Sequence, residues 1–292
     1  MRVLVLGSSG QLSQHLRELL PAAAFWGRAA CDLSSVPDLR ERVVAFRPDV
    51  ILNAAAYTAV DRAETERTEA WKLNAAAPAA LAEAAEALRV PLVHVSTDYV
   101  FGGAGREPYR EDAPLAPINV YGQTKLAGEL AVRVICSRVW LIRTSWVFSE
   151  YGANFVKTMI RLARERERLT VVDDQVGRPT YAGDLARCMA ALLGIEGASV
   201  PFGTYHFGSG PVLSWCEYAR QIIALAHGRG ILARMPEIAG VPTSGYPTAA
   251  ARPLYSVMRP SQALETLVGP VDWRVGLEKV VELVGRGAVA AG

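Results

Sequence analysis

Short, uninterrupted apolar runs alternate along this chain with longer stretches in which apolar residues return every three or four positions. Val3-Leu4-Val5-Leu6 is the first run and Val50-Ile51-Leu52 the next; Leu92 to Ser96 and Val139 to Thr144 read as further strands, with His94 and Arg143 among their apolar residues. Runs this short, with no polar alternation, suit strands buried on both faces of a parallel sheet. Leu12, Leu16, Leu19 and Leu20 share one helical side, as do Leu126, Leu130 and Val134. Ala22 to Trp26 reads as a second strand, Leu39 to Phe46 as a helix ended by Pro48, and Trp71 to Arg89 as one long Ala-rich helix interrupted only near its start by Pro78. Thr204 to Phe207 and Trp215 to His227 add a strand and a helix. This alternation predicts an α/β fold, a Rossmann-type doubly wound parallel sheet. Residues 1–148 should form it, with 171–209 returning to it. Residues 149–170 and 210–292 should form a smaller substrate-binding lobe, because Gly228 to Pro260 is rich in Gly, Pro and small polar residues. The small apolar tail from Gly285 to Gly292 is expected to fray.

The carboxyl ends of the strands form the edge at which such a sheet binds ligands. Strand one runs into Gly7-Ser8-Ser9-Gly10-Gln11-Leu12-Ser13 and then a helix. That context makes Gly7, Gly10, Gln11 and Leu12 a candidate pyrophosphate turn, favoured over a plain strand–helix turn. Arg28, just past strand two, suits a 2′-phosphate and favours NADPH, with NADH as the alternative. Asp32 and Leu33, in Cys31 to Ser34, should border the adenine, although Asp32 also suits an ordinary loop or cap. Ala54, Ala55 and Ala56 follow strand three and let the backbone come close to a ligand. Thr97 ends strand four, where its hydroxyl can hydrogen-bond a reacting oxygen, with a helix-cap or turn role as the alternative. Tyr121 and Lys125 lie one helical turn apart. An ammonium beside a phenol favours the phenolate and should bring the tyrosine towards the working pH range. Trp146, at the same edge, offers an indole for stacking, with core packing as the competing role.

Composition narrows the function classes. The 292 residues are 51% hydrophobic and 21% charged, with a formal net charge of +2, so no electrostatic footprint points to nucleic acid. Four cysteines and four histidines are scattered without metal-ligand or redox spacing, and no metal site is predicted from them. No apolar stretch reaches membrane-spanning length, and the apolar start is too short for a signal peptide. A cytoplasmic protein is expected.

The ordered motifs Gly-x-x-Gly, Asn53 to Glu64 (NAAAYTAVDRAE), Ser96 to Phe101 (STDYVF), Tyr121 to Glu129 (YGQTKLAGE), Arg143 to Met159 and Asp174 to Leu185 resemble the extended short-chain dehydrogenase/reductases. Within that group they are similar to the dTDP-4-dehydrorhamnose reductase family. The resemblance implies reduction of the C4 ketone of a dTDP-deoxyhexose by NAD(P)H. It implies that Thr97, Tyr121 and Lys125 form the catalytic group. Gly10, Gln11, Leu12, Asp32, Leu33, Ala56, Tyr57 and Thr58 would border the cofactor, with Lys125 holding its ribose. Asp98 and Trp146 would face the deoxysugar nucleotide, with Arg178 as a further contact. Ser13 replaces the third glycine of the turn, and Tyr255 stands where the family usually has Asn. Related 4,6-dehydratases carry Glu at the position of Tyr99, and without that carboxylate elimination loses its acid–base partner. Some members form a magnesium-linked dimer through glutamates, one in the first helix. The matching residue here is His15, so that site is not expected and any other magnesium requirement stays open. A monomer or homodimer fits equally. Two rival readings remain at this point: a reductase or epimerase of another sugar nucleotide, and a silent dinucleotide-binding regulatory subunit.

Overall fold

A computed structural model describes residues 1–33, 35–194, 200–208 and 210–289. Its frame is a six-stranded parallel sheet made of β1 (Val3–Leu6), β2 (Ala24–Trp26), β3 (Val50–Asn53), β4 (Leu92–Thr97), β5 (Val139–Thr144) and β6 (Gly203–His206). Their spatial order is β2-β1-β3-β4-β5-β6, all parallel. The apolar runs are double-faced as read. Val3 and Val5 pack with Leu52 and Val93 on one side, while Leu4 and Leu6 pack with Ile51 and Leu92 on the other. Helices α1 (Gln11–Leu19), α2 (Val36–Phe46), α3 (Ala77–Leu88) and α4 (Val120–Ile135) belong to this frame. Helices α2 to α4 cover one face. The other is covered by α1 with α6 (Ala182–Ala191) and α8 (Gln262–Val268); α5 (Phe155–Glu165) and α7 (Trp215–Gly228) lie elsewhere.

A second apolar core gathers α5, α7 and α9 (Trp273–Val289) around Val156, Ile160, Tyr218, Ile222, Trp273 and Val280. A two-stranded parallel ladder, Arg168–Val172 with Glu237–Val241, is attached to it. Among the described residues no helix is long and apolar enough to cross a membrane.

Two expectations are corrected. The stretch 71–89 is not one regular helix: a helix over Arg67–Trp71 passes into a π-helical turn, Lys72–Ala76, before α3 begins. The wide turn frees Asn74 from the helical surface so that it bonds to its surroundings. Pro78 lies in the first turn of α3, where a missing N–H costs nothing. The tail is helical as far as Val289; Ser34 and residues 290–292 lie outside the described residues.

Candidate active site

The cleft at the carboxyl edge of the sheet has a volume of about 630 Å³. Its floor begins at Gly7, whose φ of 97° suits glycine. A Cβ there would lie 3.2 Å from Ser13 Oγ and 3.3 Å from the Ala55 nitrogen. Serine at the third turn position is therefore accommodated, buried against Gly7. Gly10 caps α1 with no side-chain bond, and the first turn of α1 carries no acidic residue. The helix thus presents N–H groups and the positive end of its dipole to the cleft, a fit for a pyrophosphate. Asn53 Oδ1 accepts the Ala55 N–H at 3.2 Å and holds the alanine segment at the cleft wall.

The opposite end is built on α4. Asn119 caps it by accepting the Gly122 N–H at 2.7 Å, and Glu64 accepts the Val120 N–H at 2.9 Å. Two glycines bring the helix close to its neighbours. A Cβ on Gly122 would lie 2.2 Å from the Tyr99 carbonyl oxygen, and one on Gly128 would lie 2.1 Å from that of Asn74. Asn74 donates to the Tyr57 carbonyl and to Thr124 Oγ1, both at 3.0 Å, and accepts the Tyr57 N–H at 2.8 Å. The π-helical turn therefore ties the alanine segment to the tyrosine helix.

Thr97, Asp98, Tyr121 and Lys125 converge on the cleft. Thr97 Oγ1 donates to Asp98 Oδ1 at 2.9 Å and accepts the Tyr99 N–H at 3.2 Å. Burial raises the Asp98 carboxyl to about 6. The expectation that Lys125 lowers the Tyr121 phenol is not met. Desolvation pushes Tyr121 up to about 12, opposed by hydrogen bonding from Thr97. Lys125 Nζ instead donates to the Val95 carbonyl at 2.8 Å, and burial draws its ammonium down to about 8. Tyr121 is thus a protonated phenol at neutral pH, the form that donates. Tyr99 meets it edge-on with ring centroids 5.8 Å apart, and burial raises the Tyr99 phenol far above its ordinary value. It offers no substitute for a carboxylate.

The remaining candidates divide. Gln11, Leu12, Ala55, Ala56 and Thr58 line the cleft. Tyr57 turns its ring away, donating to Glu66 at 2.6 Å and packing on Ala63, Ala70 and Val120. Arg28 and Asp32 are exposed and Leu33 packs on the core beneath α2 and α3, so none of the three lies on the cleft wall. Arg178 borders a separate small void with His206 and Phe207. That void meets the cleft through Ser145, whose hydroxyl donates to the Arg178 carbonyl at 2.6 Å. Trp146 sits at the cleft with a left-handed φ of 49°, but its indole stacks on Trp215 at 3.6 Å and lies against Gly177. That packing is the competing role named from the sequence, and the residue still lines the cleft.

Sequence reading passed over Asn74, Trp215 and Glu129. Trp215 starts α7 in the second core and lines the cleft. Nothing in its local sequence separates it from a core tryptophan. Glu129 was legible only as the next residue of the i, i+4 series that holds Tyr121 and Lys125.

Comparison with known proteins identifies the family. The family model described as RmlD substrate binding domain matches residues 1–285. A dTDP-4-dehydrorhamnose reductase of Shigella flexneri is 42% identical over 292 residues, covering 96% of this chain and 97% of that protein. The structure of a dTDP-4-dehydrorhamnose reductase from Clostridium acetobutylicum superposes with a TM-score of 0.89 at 33% identity, covering 97% of this chain and 99% of the other. One from Bacillus anthracis, solved in complex with NADP, gives 0.85 at 38% identity, with 96% and 98% covered. The chain belongs to the dTDP-4-dehydrorhamnose reductase family.

Proposed function

We propose that this chain reduces the C4 ketone of dTDP-4-dehydro-L-rhamnose to dTDP-L-rhamnose with NADPH, NADH being the lesser donor. One observation carries the mechanism: Thr97, a protonated Tyr121 and Lys125 meet in a cleft whose far end is an uncapped helix N-terminus. The nicotinamide cofactor, when bound, supplies the hydride. Gly7, Gly10 and the first turn of α1 hold its pyrophosphate, and Ala55, Ala56 and Thr58 flank it. Tyr121 gives its phenolic proton to the oxygen developing at C4, and Thr97 fixes that oxygen by a hydrogen bond. A tyrosine kept at about 12 suits this direction, because the acid form is the one present. Lys125 holds the ribose hydroxyls and places positive charge near the oxyanion.

Asp98, Trp146 and Arg178 are assigned to the sugar nucleotide, with Trp215 added because it covers Trp146 at the cleft. The lobe of residues 149–170 and 210–292 covers the substrate, without α8, which packs on the face of the central sheet. Arg28 reaches the 2′-phosphate from solvent. We place the reaction in the cytoplasm, carried out by a monomer or homodimer.

The test is NADPH oxidation on adding freshly generated dTDP-4-dehydro-L-rhamnose, with identification of the product. Formation of dTDP-L-rhamnose supports the reading. Tight NADPH binding without turnover here, but with turnover of another keto-sugar nucleotide, would overturn the substrate assignment and keep the reaction class.

A further inference from the structure

Tyr121, Lys125 and Glu129 recur every four residues on α4 and so form one stripe two turns long. Proton transfer to a ketone needs the first two and gives no reason for the third. Yet Glu129 and its partner Arg143 of β5 are each 1% exposed. Arg143 Nε donates to Glu129 Oε1 at 3.0 Å, and its Nη2 donates to Oε2 at 2.7 Å. Arg143 is held in turn by the Glu111 carbonyl at 3.1 Å, by His206 Nε2 at 3.3 Å and by the Phe101 ring. Burial and Arg143 keep that imidazole neutral, at about 4. A buried ion pair is a weak source of stability, since desolvation offsets its attraction. Its position calls for another reason.

Lys125 supplies one. The residue is 2% exposed, and a buried ammonium without a counter-charge is expensive. On the strand beneath, His94 is kept neutral by burial, its Nδ1 paired with Asn53 Nδ2 at 3.0 Å. From the turn Asp98–Val100, Asp98 and Tyr99 bear on Tyr121. Glu64 is engaged at the start of α4, and the helical segment alongside contributes the uncharged Asn74. The charge that favours the ammonium form of Lys125 is Glu129. A free glutamate four residues away would close on the lysine, as such helix pairs do. Arg143 engages both carboxylate oxygens and keeps it from doing so.

We propose that Glu129 is a positioning residue for the reduction: clamped by Arg143 one turn beyond Lys125 on the same stripe of α4, its carboxylate keeps Lys125 charged while the Val95 carbonyl holds the ammonium. The role given to Lys125 rests on the reductase reading above. The test is therefore made on cofactor binding without sugar substrate, so that a failed substrate assignment leaves it standing.

NADPH dissociation constants are measured by fluorescence from about pH 6 to about pH 10 for the full chain and for Glu129→Gln and Glu129→Asp, alongside melting temperatures. The native chain should lose affinity through an alkaline limb as Lys125 deprotonates. In Glu129→Gln that limb should move about one pH unit lower, so that NADPH binds roughly 10-fold more weakly on the limb. Glu129→Asp keeps the charge and should restore the native limb. An unmoved limb in folded Glu129→Gln, or equal movement in both variants, would overturn the proposal. If Glu129→Gln does not fold, the double variant Glu129→Gln/Arg143→Met removes the stranded guanidinium, and the limb must still move down. Loss of fold in both, while Glu129→Asp folds, assigns Glu129 to stability alone and also overturns it.

Discussion

The two ends of the cleft are built on opposite principles. At the end that holds Tyr121, the residues Thr97, Asp98 and Lys125 are buried and α4 lies against its neighbours through two glycines. Beyond the other end, off the cleft wall, Arg28 and Asp32 are exposed after the short strand β2. A charge in a dry, fixed setting acts strongly and has its pKa moved. One in water is screened to a fraction of that effect. Chemistry should therefore depend steeply on the first end and binding preference only gently on the second.

Tyr121→Phe probes the steepest dependence. It removes only the phenolic hydroxyl, and kcat should fall by roughly 10²–10⁴-fold while NADPH affinity stays close to native. Steady-state kinetics with a binding titration checks this, and near-native turnover would remove Tyr121 from the mechanism. Lys125→Met should lower both the rate and NADPH affinity, each by about 10-fold or more; an unchanged cofactor dissociation constant would end the ribose assignment.

Gly122→Ala sharpens the comparison on the structural side. Its Cβ would lie 2.2 Å from the Tyr99 carbonyl oxygen, so α4 must shift. A loss of about 1–3 kcal/mol is expected, read by denaturant unfolding, together with a rate loss larger than the fall in NADPH affinity. An unaltered midpoint would show that the helix has room to move.

Asp98→Asn tests the buried carboxyl through pH. Its folded value, about 6, lies above the ordinary 3.8. The stability this group contributes is therefore full below the ordinary value and lost as pH rises through about 6. The variant should gain on the order of 2 kcal/mol over native at pH 8 and almost nothing at pH 4. Thermal unfolding at the two pH values measures the difference, and an equal effect at both would contradict the raised carboxyl. Arg28→Ala is the gentlest change: NADPH should weaken a few-fold, by less than about 1 kcal/mol, with NADH untouched. A large loss for both cofactors would mean that the adenosine end is as closed as the catalytic one.

How far the sequence could be read follows the range of the interactions. The double-faced strands, the glycine turn and the Tyr121–Lys125 spacing are local patterns and were legible, although Leu19, Leu130 and Val134 of the helical stripes are exposed. The turn at Lys72–Ala76 was not legible, because Asn74 leaves helical register for partners on Tyr57 and Thr124, 17 and 50 residues away. Trp146 reads equally as a stacking or a packed indole, and only the structure shows that Trp215, far along the chain, lies on it.

By itself, the sequence determined the alternation of buried strands and helices, the glycine turn and the one-turn separation of phenol and ammonium. All of these are set by backbone geometry within a few residues. The tertiary structure alone decided how water is excluded around them. Burial raises Tyr121 instead of lowering it, draws Lys125 down, and places the Glu129–Arg143 pair behind that lysine. Desolvation and long-range charge depend on what the rest of the chain packs against a group, and no local pattern carries that information.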